Sequence, residues 1–256
     1  MGASNQIRQN EIVELLRQED FMNVSEICRK VFASPATVRR DLSQLVQQHL
    51  IIRTRGGARF IENSDEIPYQ IRESTEQESK QLIAYAASKL IAKSRFIFLD
   101  SSSTCMYLAR EILKQKYLTI LTNGPKTAQI LCRNAYNTII STGGIISGNT
   151  NSLTGNDAEA TIKRYNADLF FFSGRSLSTL GVLDSNVEEA TIKRVFANHS
   201  YKSIVLMDNS KFDRSYNYIT LPIEKIDYLI INKPISKSLE DILLHSRTVV
   251  INASKT

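Results

Sequence analysis

The stretch "FLDSSSTCMYLAR", Phe98 to Arg110, contains a short apolar run, an acid, four consecutive hydroxyl side chains and an apolar segment with helical spacing. It predicts a strand, a loop that begins at Asp100, and a helix that begins near Ser103. A helix start has unpaired backbone N–H groups and a partial positive charge, so short hydroxyl side chains can cap it or surround a bound anion. Capping needs one or two such residues. The run of four therefore leaves both roles open.

Strands and helices alternate through the rest of the C-terminal part. Short apolar runs recur between helix-length segments: RFIFLD, YLTILTN, NTIIST, DLFFFSG, SIVLMD, DYLIIN and TVVIN. This pattern predicts an open α/β domain with a mainly parallel sheet covered on both faces. The hexapeptide EATIKR occurs twice, at Glu159–Arg164 and Glu189–Arg194. With different flanks and no third copy, it indicates two similar helices that precede two strands of one sheet, rather than a repeat array.

The loops that follow the predicted strands share one composition. Ligands of open α/β sheets bind beyond the carboxyl ends of the strands, and these loops contain small residues, hydroxyls, amides, acids, an Arg and a Lys. Small residues let backbone N–H groups approach an anion, Lys and Arg neutralise it, and Asp or Asn bind sugar hydroxyls. A phosphorylated sugar or polyol is the predicted effector. Its predicted binding residues are Asp100, Ser101, Ser102, Ser103, Thr104, Asn123, Gly124, Gly143, Gly144, Arg175, Glu189, Asp208 and Lys211.

The first sixty residues have the pattern of a small DNA-binding module. Helical spacing is present over Ile7–Gln18 and Ser25–Phe32, and Ser34 followed by Pro35 is a strong start signal for a third helix. In that helix Val38, Leu42 and Leu45 mark the buried face. Two short helices joined by a turn, the second opening with polar and basic residues, predict a helix-turn-helix.

A basic hairpin follows the third helix. In "LIIRTRGGARF", Leu50 to Phe60, paired glycines mark a turn between two short strands that carry three arginines. Such a wing can grip phosphates through its arginines while its glycines allow close backbone approach. Between Glu26 and Phe60 there are seven basic and two acidic residues, which accounts for most of the chain's formal charge of +6. The predicted partner is double-stranded DNA, bound by Ser34, Thr37, Arg39, Arg40, Arg53, Arg55 and Gly57.

These motifs resemble a known family. "SPATVRRDL" and "LIIRTRGGARF" are similar to the N-terminal signature of the DeoR family of bacterial transcriptional regulators, with Arg55 where that family usually has His. "LDSSST", "LTNG", "TGG", "LTG", "EEATIKR" and "DNSKF" resemble the family's sensor domain, which is similar in fold to ribose-5-phosphate isomerases. Ser102 stands where the family more often has Gly. The resemblance implies that Thr37, Arg39 and Arg40 read DNA, and that the Ser/Thr loop holds the phosphate.

Size and composition set the domain organisation. The 256 residues, 42% hydrophobic and 23% charged, suit two domains: a winged helix-turn-helix over 1–60, a polar acidic linker over 61–75, and the α/β domain over 76–256, which also mediates assembly. No membrane segment or signal peptide is expected, which predicts a cytoplasmic protein. Cys28, Cys105 and Cys132 are expected to be small buried hydrophobes, with no disulfide framework, metal site or cofactor.

Three function classes remain open from the residues alone. The first is a DNA-binding regulator of a carbohydrate-metabolism operon, predicted to be a repressor. It is expected to form a dimer or tetramer, because one reading helix contacts only a few base pairs. The second is a sugar-phosphate isomerase with an appended nucleic-acid-binding domain, for which Asp100, Glu188, Glu189 or Asp208 could supply a base. The third, an architectural or RNA-binding protein, explains the basic module but not the ligand-like loops. The regulator, with no catalytic residues, is the prediction.

Overall fold

The computed structural model describes residues 2–19, 21–47, 50–60 and 69–255. The chain forms two compact units, Met1–Ile67 and Pro68–Thr256. Within the predicted linker, residues 61–68 lie outside the described residues, and Tyr69–Ser74 form a helix of the second unit. Among the helices that are described, none is both long enough and apolar enough to cross a bilayer.

The first unit is a three-helix module with a small sheet. Its elements are α1 (Gly2–Glu19), β1 (Phe21–Asn23), α2 (Val24–Lys30), α3 (Pro35–Gln47), β2 (Ile51–Thr54) and β3 (Gly57–Phe60). The three predicted helices and the predicted hairpin are confirmed. Strand β1 was not predicted; it pairs antiparallel with β3, which gives the sheet the order β1-β3-β2.

The core of the first unit forms where the helical spacing placed it. Val38 and Leu42 are fully buried and Leu45 is 1% exposed, so the predicted inner face of α3 is confirmed. These side chains pack with Ile12, Leu16, Ile27 and other apolar residues of α1, α2 and the sheet. Ile7, the first residue of the helical spacing predicted over Ile7–Gln18, is 69% exposed and lies outside this core.

The second unit alternates strands and helices. Its helices are α4 (Tyr69–Ser74), α5 (Gln77–Ser88), α6 (Ser103–Glu111), α7 (Pro125–Leu131), α8 (Asn156–Ile162), α9 (Val187–Asn198) and α10 (Lys237–Leu244). Its strands are β4 (Phe96–Leu99), β5 (Thr119–Thr122), β6 (Thr138–Ser141), β7 (Ile145–Ser147), β8 (Ser152–Thr154), β9 (Ala167–Phe172), β10 (Ser176–Ser178), β11 (Gly181–Asp184), β12 (Ser200–Met207), β13 (Tyr218–Leu221), β14 (Tyr228–Ile231) and β15 (Val249–Asn252).

A parallel sheet organises the second unit. Seven strands, in the order β15-β14-β12-β9-β4-β5-β6, pair in parallel, as the apolar runs predicted. From β4 the chain adds β5 and β6 on one side and then β9, β12, β14 and β15 on the other. The order therefore reverses between β4 and β9, and such a reversal opens a crevice at the carboxyl ends of these two strands.

Both faces of the sheet are covered by helices. Successive residues of a strand point to opposite faces, so each strand contributes side chains to two core clusters. Leu99 and Phe171 belong to a core cluster shared with α5, α6 and α7. Phe98 and Phe170 belong to a second cluster shared with α8, α9 and α10. The small sheets β7-β8 and β10-β11-β13 add to this framework. The predicted doubly covered α/β domain is confirmed.

The two copies of EATIKR have equivalent places in the sheet. The first copy begins in α8 and precedes β9, and the second lies within α9 and precedes β12. Strands β9 and β12 pair in parallel. The prediction of two similar helices that precede two strands of one sheet is confirmed.

The expectation for the cysteines is confirmed only in part. Cys105 is fully buried, and its thiol donates to Phe171 O at 3.3 Å. Cys28 is half-buried, whereas Cys132 is exposed, so the prediction of a buried hydrophobe is wrong for Cys132. Cys132 immediately follows α7, outside the apolar face formed by Ile130 and Leu131.

Candidate nucleic-acid interface and effector site

Helix α3 presents a polar and basic surface at its N-terminal end. Ser34 caps the helix: its Oγ accepts from the Thr37 backbone N–H at 3.3 Å and lies 2.9 Å from Thr37 Oγ1. Arg39 and Arg40 are exposed and lie beside the buried position Val38. The helix therefore leaves two guanidinium groups accessible while its other face is fixed in the core.

An ion pair fixes α3 against α1. The Arg8 guanidinium donates to both carboxylate oxygens of Asp41, with Nε to Oδ2 at 2.6 Å and Nη2 to Oδ1 at 3.2 Å. Asp41 is fully buried although it directly follows the exposed pair Arg39 and Arg40. The planar guanidinium suits this two-point contact, which sets the orientation of α3 as well as its position. Sequence reasoning missed Asp41 as a structural residue.

The hairpin keeps its arginines exposed and its second glycine buried. Arg53 and Arg55 are exposed, and Gly56 adopts a φ of 91°, a left-handed turn conformation that favours glycine. A Cβ on Gly57 would lie 2.2 Å from Met22 O and 2.6 Å from the Phe21 ring. Gly57 therefore allows β3 to pair closely with β1. This corrects the prediction that it lies at the DNA surface.

Asp100 occupies the crevice where the strand order reverses. Its Oδ1 accepts from the Ser102 backbone N–H at 2.9 Å, and its Oδ2 accepts from the Ser173 backbone N–H at 3.1 Å. The fully buried carboxylate thus joins the loop after β4 to the loop after β9. Since both oxygens are held by backbone donors, Asp100 fixes the shape of the crevice.

Within the run of four hydroxyls, the cap of α6 is Ser102. Its Oγ accepts from the Cys105 backbone N–H at 3.2 Å. Ser101, Ser103 and Thr104 are also buried, and Thr104 Oγ1 has no hydrogen-bond partner among the residues that the structure describes. Capping therefore accounts for Ser102 alone. A buried hydroxyl without a partner is costly, and a polar ligand would satisfy it.

The loop after β5 lies against the hydroxyl loop. A Cβ on Gly124 would be 2.9 Å from Ser101 Cα, so the missing side chain allows the close approach of the two loops. Asn123 is fully buried, and its Nδ2 donates to Leu153 O at 3.2 Å. Its Oδ1 has no partner within the described part of the chain. This oxygen is a second unsatisfied polar atom at the carboxyl end of the sheet.

Lys211 and Asp208 lie at the end of β12. The Lys211 ammonium donates to Ser173 Oγ at 2.9 Å and is 3.8 Å from Asp208 Oδ2. Burial lowers the pKa of Lys211; Arg72 and Arg175 act in the same direction, against the opposing effect of Asp208 and Asp100. The charges of Arg72 and Arg175 thus act on this ammonium together with those of two acids.

The pKa of Asp208 is lowered although burial acts to raise it. The Lys211 ammonium, a side-chain hydrogen bond from Ser210 and the charge of Lys80 together outweigh the loss of solvation. Asp208 Oδ1 accepts from the Ser210 backbone N–H at 3.1 Å, whereas Oδ2 makes no hydrogen bond to a described residue. One carboxylate oxygen therefore remains available as an acceptor beside Lys211.

Four further residues were predicted to bind the effector: Gly143, Gly144, Arg175 and Glu189. Gly143 and Gly144 are exposed and precede β7, and a Cβ on Gly144 would be 2.4 Å from Thr154 O. Arg175 is half-buried, and its positive charge acts to lower the pKa of Lys211. The Glu189 carboxylate accepts a hydrogen bond from Ser152 Oγ. The negative charges of Glu189 and Asp100 both act to raise the pKa of the buried Lys193.

Two cationic residues of this region were missed by sequence reasoning. Lys80 is 2% exposed, and Arg72 donates from Nη2 to Thr150 O at 3.1 Å. Burial lowers the pKa of Lys80 to about 7, and Lys211 and Arg72 act in the same direction. The available signal was the position of Lys80 on the apolar face of α5, three and four residues before Ile83 and Ala84.

A second buried lysine of this unit, Lys193, forms an ion pair with Asp184. Lys193 donates to Asp184 Oδ2 at 2.9 Å, and Thr220 Oγ1 donates to the same oxygen at 2.7 Å. Burial acts to lower the pKa of Lys193, but the carboxylates of Asp184, Asp100 and Glu189 outweigh it, so that the pKa is raised. Because it is compensated in this way, Lys193 is a structural cation.

The two units therefore define a class: a protein with a winged helix-turn-helix and an α/β domain whose sheet ends in a cation-rich crevice. A family model described as the DeoR-like helix-turn-helix domain matches residues 8–64, and one described as the DeoR C terminal sensor domain matches residues 75–233. The chain belongs to the DeoR family, as its motifs indicated.

Relatives resemble the chain over most of its length. The HTH-type transcriptional regulator GolR of Listeria innocua is 33% identical, covering 91% of this chain and 92% of the relative. The glycerol-3-phosphate regulon repressor of Escherichia coli is 27% identical, covering 92% and 94%. A putative aga operon transcriptional repressor of Escherichia coli O157:H7 is 29% identical, covering 91% and 88%.

Solved structures are similar over a smaller share. Ribose 5 phosphate isomerase A from Neisseria gonorrhoeae aligns with 54% of this chain and 55% of its own, at a TM-score of 0.41 and 15% identity. The assignment of the fold here rests on the strand order and on the family models.

Proposed function

We propose that this protein is a transcriptional repressor of a carbohydrate-metabolism operon that binds double-stranded operator DNA and responds to a phosphorylated sugar or polyol. The N-terminal unit supplies Ser34, Thr37, Arg39, Arg40, Arg53 and Arg55 as DNA-binding residues. The names of the relatives, repressors of a glycerol-3-phosphate regulon and of an aga operon, support a carbohydrate-related target.

One observation carries the effector assignment. Burial and the charges of Arg72 and Arg175 together disfavour the ammonium form of Lys211, despite the nearby Asp208. A bound phosphate would supply the missing negative charge and accept charge-assisted hydrogen bonds. Thr104 Oγ1, Asn123 Oδ1 and Asp208 Oδ2 are buried without hydrogen-bond partners among the described residues. These three atoms suit the hydroxyl groups of a sugar or polyol.

The same site favours binding over catalysis. An isomerase needs a carboxylate poised to remove a proton, whereas both oxygens of Asp100 accept from backbone N–H groups. The Glu189 carboxylate is engaged by Ser152, and the pKa of Asp208 is lowered, which makes Asp208 a weaker base. We therefore assign the chain no catalytic residue and no cofactor.

Assembly and location follow from the proposed role. A single reading helix contacts few base pairs, so specific operator recognition favours a homo-oligomer, a dimer or tetramer, on paired half-sites. A regulator of this kind acts in the cytoplasm, where the operator and the phosphorylated effector are found.

The test has two parts. Selection from a random duplex library should recover a repeated sequence motif, and the full chain should bind that duplex in preference to an RNA of the same sequence. A thermal-shift screen of phosphorylated sugars and polyols should then find ligands that raise the unfolding temperature and change operator affinity. Recovery of no motif would contradict the DNA assignment. Turnover of any stabilising sugar phosphate would favour the isomerase.

A further inference from the structure

Helix α4 carries Tyr69, whose buried hydroxyl has no role in the site described above. Tyr69, the first residue of α4, is 2% exposed, and its hydroxyl makes no hydrogen bond to any residue that the structure describes. A buried phenol normally finds a partner, because an unpaired hydroxyl loses its hydration without compensation. The position of this hydroxyl therefore calls for a binding partner.

The Tyr69 ring lies near the start of α7, the helix that follows the loop after β5. Lys126 Nζ is 5.6 Å from the ring centroid, and Lys126 belongs to the first turn of α7, directly after the loop of Asn123 and Gly124. Burial raises the pKa of Tyr69, and the carboxylates of Glu73 and Asp100 raise it further. The hydroxyl is thus protonated at physiological pH, within the electrostatic reach of Asp100.

Contacts on both sides of Tyr69 hold α4 in place. The Tyr69 backbone N–H donates to Asn149 O at 2.9 Å, and the Tyr107 hydroxyl donates to Glu73 O at 3.3 Å. The Glu73 carboxylate forms ion pairs with Arg110, at 3.4 Å, and with Lys126. With α4 fixed in this way, the Tyr69 hydroxyl cannot relieve its unpaired state by a simple shift of the helix.

The C-terminal end of α4 is held by Lys80. Its ammonium donates to Thr75 O at 2.5 Å and to Arg72 O, two carbonyls at the end of the helix that lack helical partners. The positive charge of the same ammonium acts to lower the pKa of Asp208. The C-terminal end of α4 is therefore linked through Lys80 to Asp208 of the proposed effector site.

We propose that the Tyr69 hydroxyl binds a hydroxyl group of the effector and so helps to select which phosphorylated sugar is bound. This inference rests on the proposed function, in which a phosphorylated sugar occupies the crevice. A neutral phenol adds little to phosphate affinity beside cationic side chains. It discriminates among sugars, because a ligand without a matching hydroxyl leaves the phenol unpaired.

Tyr69→Phe tests this role in the full chain. We would measure by calorimetry the binding of inorganic phosphate, glycerol 3-phosphate, ribose 5-phosphate and fructose 6-phosphate. For the phosphorylated sugar that binds wild type most tightly, affinity should fall about 5- to 10-fold, the effect of one neutral hydrogen bond. Binding of inorganic phosphate should not change. The unfolding temperature without ligand should stay equal or rise, because the variant removes a buried unpaired hydroxyl.

Tyr107→Phe is the matched control. Its hydroxyl already has a partner on α4, so its loss should lower the unfolding temperature slightly and leave selection among sugars unchanged. Equal sugar-phosphate affinity in wild type and Tyr69→Phe would overturn the role of Tyr69 and leave the proposed function standing. Failure of wild type to bind any phosphorylated sugar would instead remove the basis of both. If Tyr69→Phe does not fold, a crystal structure of the wild-type complex decides: Tyr69 Oη beyond hydrogen-bond distance of the sugar overturns the proposal.

Discussion

Lys211 Nζ lies 2.9 Å from Ser173 Oγ, which links the end of β12 to the end of β9. Ser173 Oγ in turn donates to Leu206 O at 2.6 Å, and the Ser173 backbone N–H donates to Asp100 Oδ2. A single serine thus connects the cation after β12 to the acid after β4. The crevice is held together by its own polar groups, so a ligand meets a largely preformed site.

Replacing Arg39 and Arg40 together with Ala should abolish sequence-specific DNA binding. Both are exposed at the start of α3, and each good base contact contributes about 1–3 kcal/mol, so the pair should cost several kcal/mol of operator affinity. Fluorescence anisotropy with the selected operator and a scrambled duplex measures the effect. Arg133→Ala, an exposed change in the other unit, is the control. Normal operator affinity of the double variant would show that α3 does not read the bases.

Arg55→Ala should act differently. Arg55 is exposed at the hairpin turn, and a phosphate contact carries no sequence information. The variant should weaken binding to operator and scrambled duplex alike and lower the slope of log affinity against log salt by about 1. A loss confined to the operator would assign Arg55 to base recognition instead.

The Arg8–Asp41 pair should stabilise the first unit strongly. Arg8→Ala leaves the fully buried Asp41 carboxylate without its guanidinium partner, and breaking such a pair costs about 3 kcal/mol or more. Chemical denaturation of the full chain should show this loss in the transition of the first unit. Lys30→Ala removes an exposed pair with Glu19 at 3.4 Å and should change stability by less than about 0.5 kcal/mol. Equal effects of the two variants would argue against the orienting role of Asp41.

Lys80 should make stability depend on pH above neutrality. Its pKa is lowered from 10.5 to about 7 in the folded state, so between these values only the unfolded chain holds the proton. The contribution of Lys80 to stability should therefore rise with pH across this window, by up to about 1.4 kcal/mol per pH unit, and should stop varying with pH well below pH 7, where both states hold the proton.

Lys80→Met isolates this contribution. The difference in unfolding free energy between wild type and Lys80→Met should change between pH 7 and pH 10, with wild type gaining relative to the variant. Lys225→Met, an exposed change in the same unit, should run parallel to wild type. A constant difference between wild type and Lys80→Met across this range would mean that Lys80 stays charged in the folded protein.

The sequence predicted the elements whose patterns are long or strongly marked. The apolar strands around Phe98 and Phe170, and α3 with its Ser34 start and Val38 stripe, came from periodicity and end signals. Strands such as β1 and β10 have only three residues each and show no periodic pattern, so they were missed.

The site was predicted less completely, because it depends on distant contacts. The loops after the strands were found, since the carboxyl ends of parallel strands meet at one edge. Lys80 and Tyr69 reach the same region from α5 and α4, ahead of the first strand of the sheet, and no local pattern indicates this. Gly57 shows the opposite case: its turn motif was recognised, but its burial against Phe21 depends on a strand that the sequence did not reveal.

Calorimetric titration of wild type and Lys211→Ala with a sugar and with its phosphate tests most directly whether the crevice senses a phosphorylated ligand. Wild type should bind the phosphate ester about 10- to 100-fold more tightly than the free sugar, because charge-assisted hydrogen bonds dominate such a site. Lys211→Ala should lose most of this preference, whereas Lys225→Ala, an exposed lysine of the same unit, should keep it. Equal affinity of wild type for both ligands, or an unaltered preference in Lys211→Ala, would contradict the assignment.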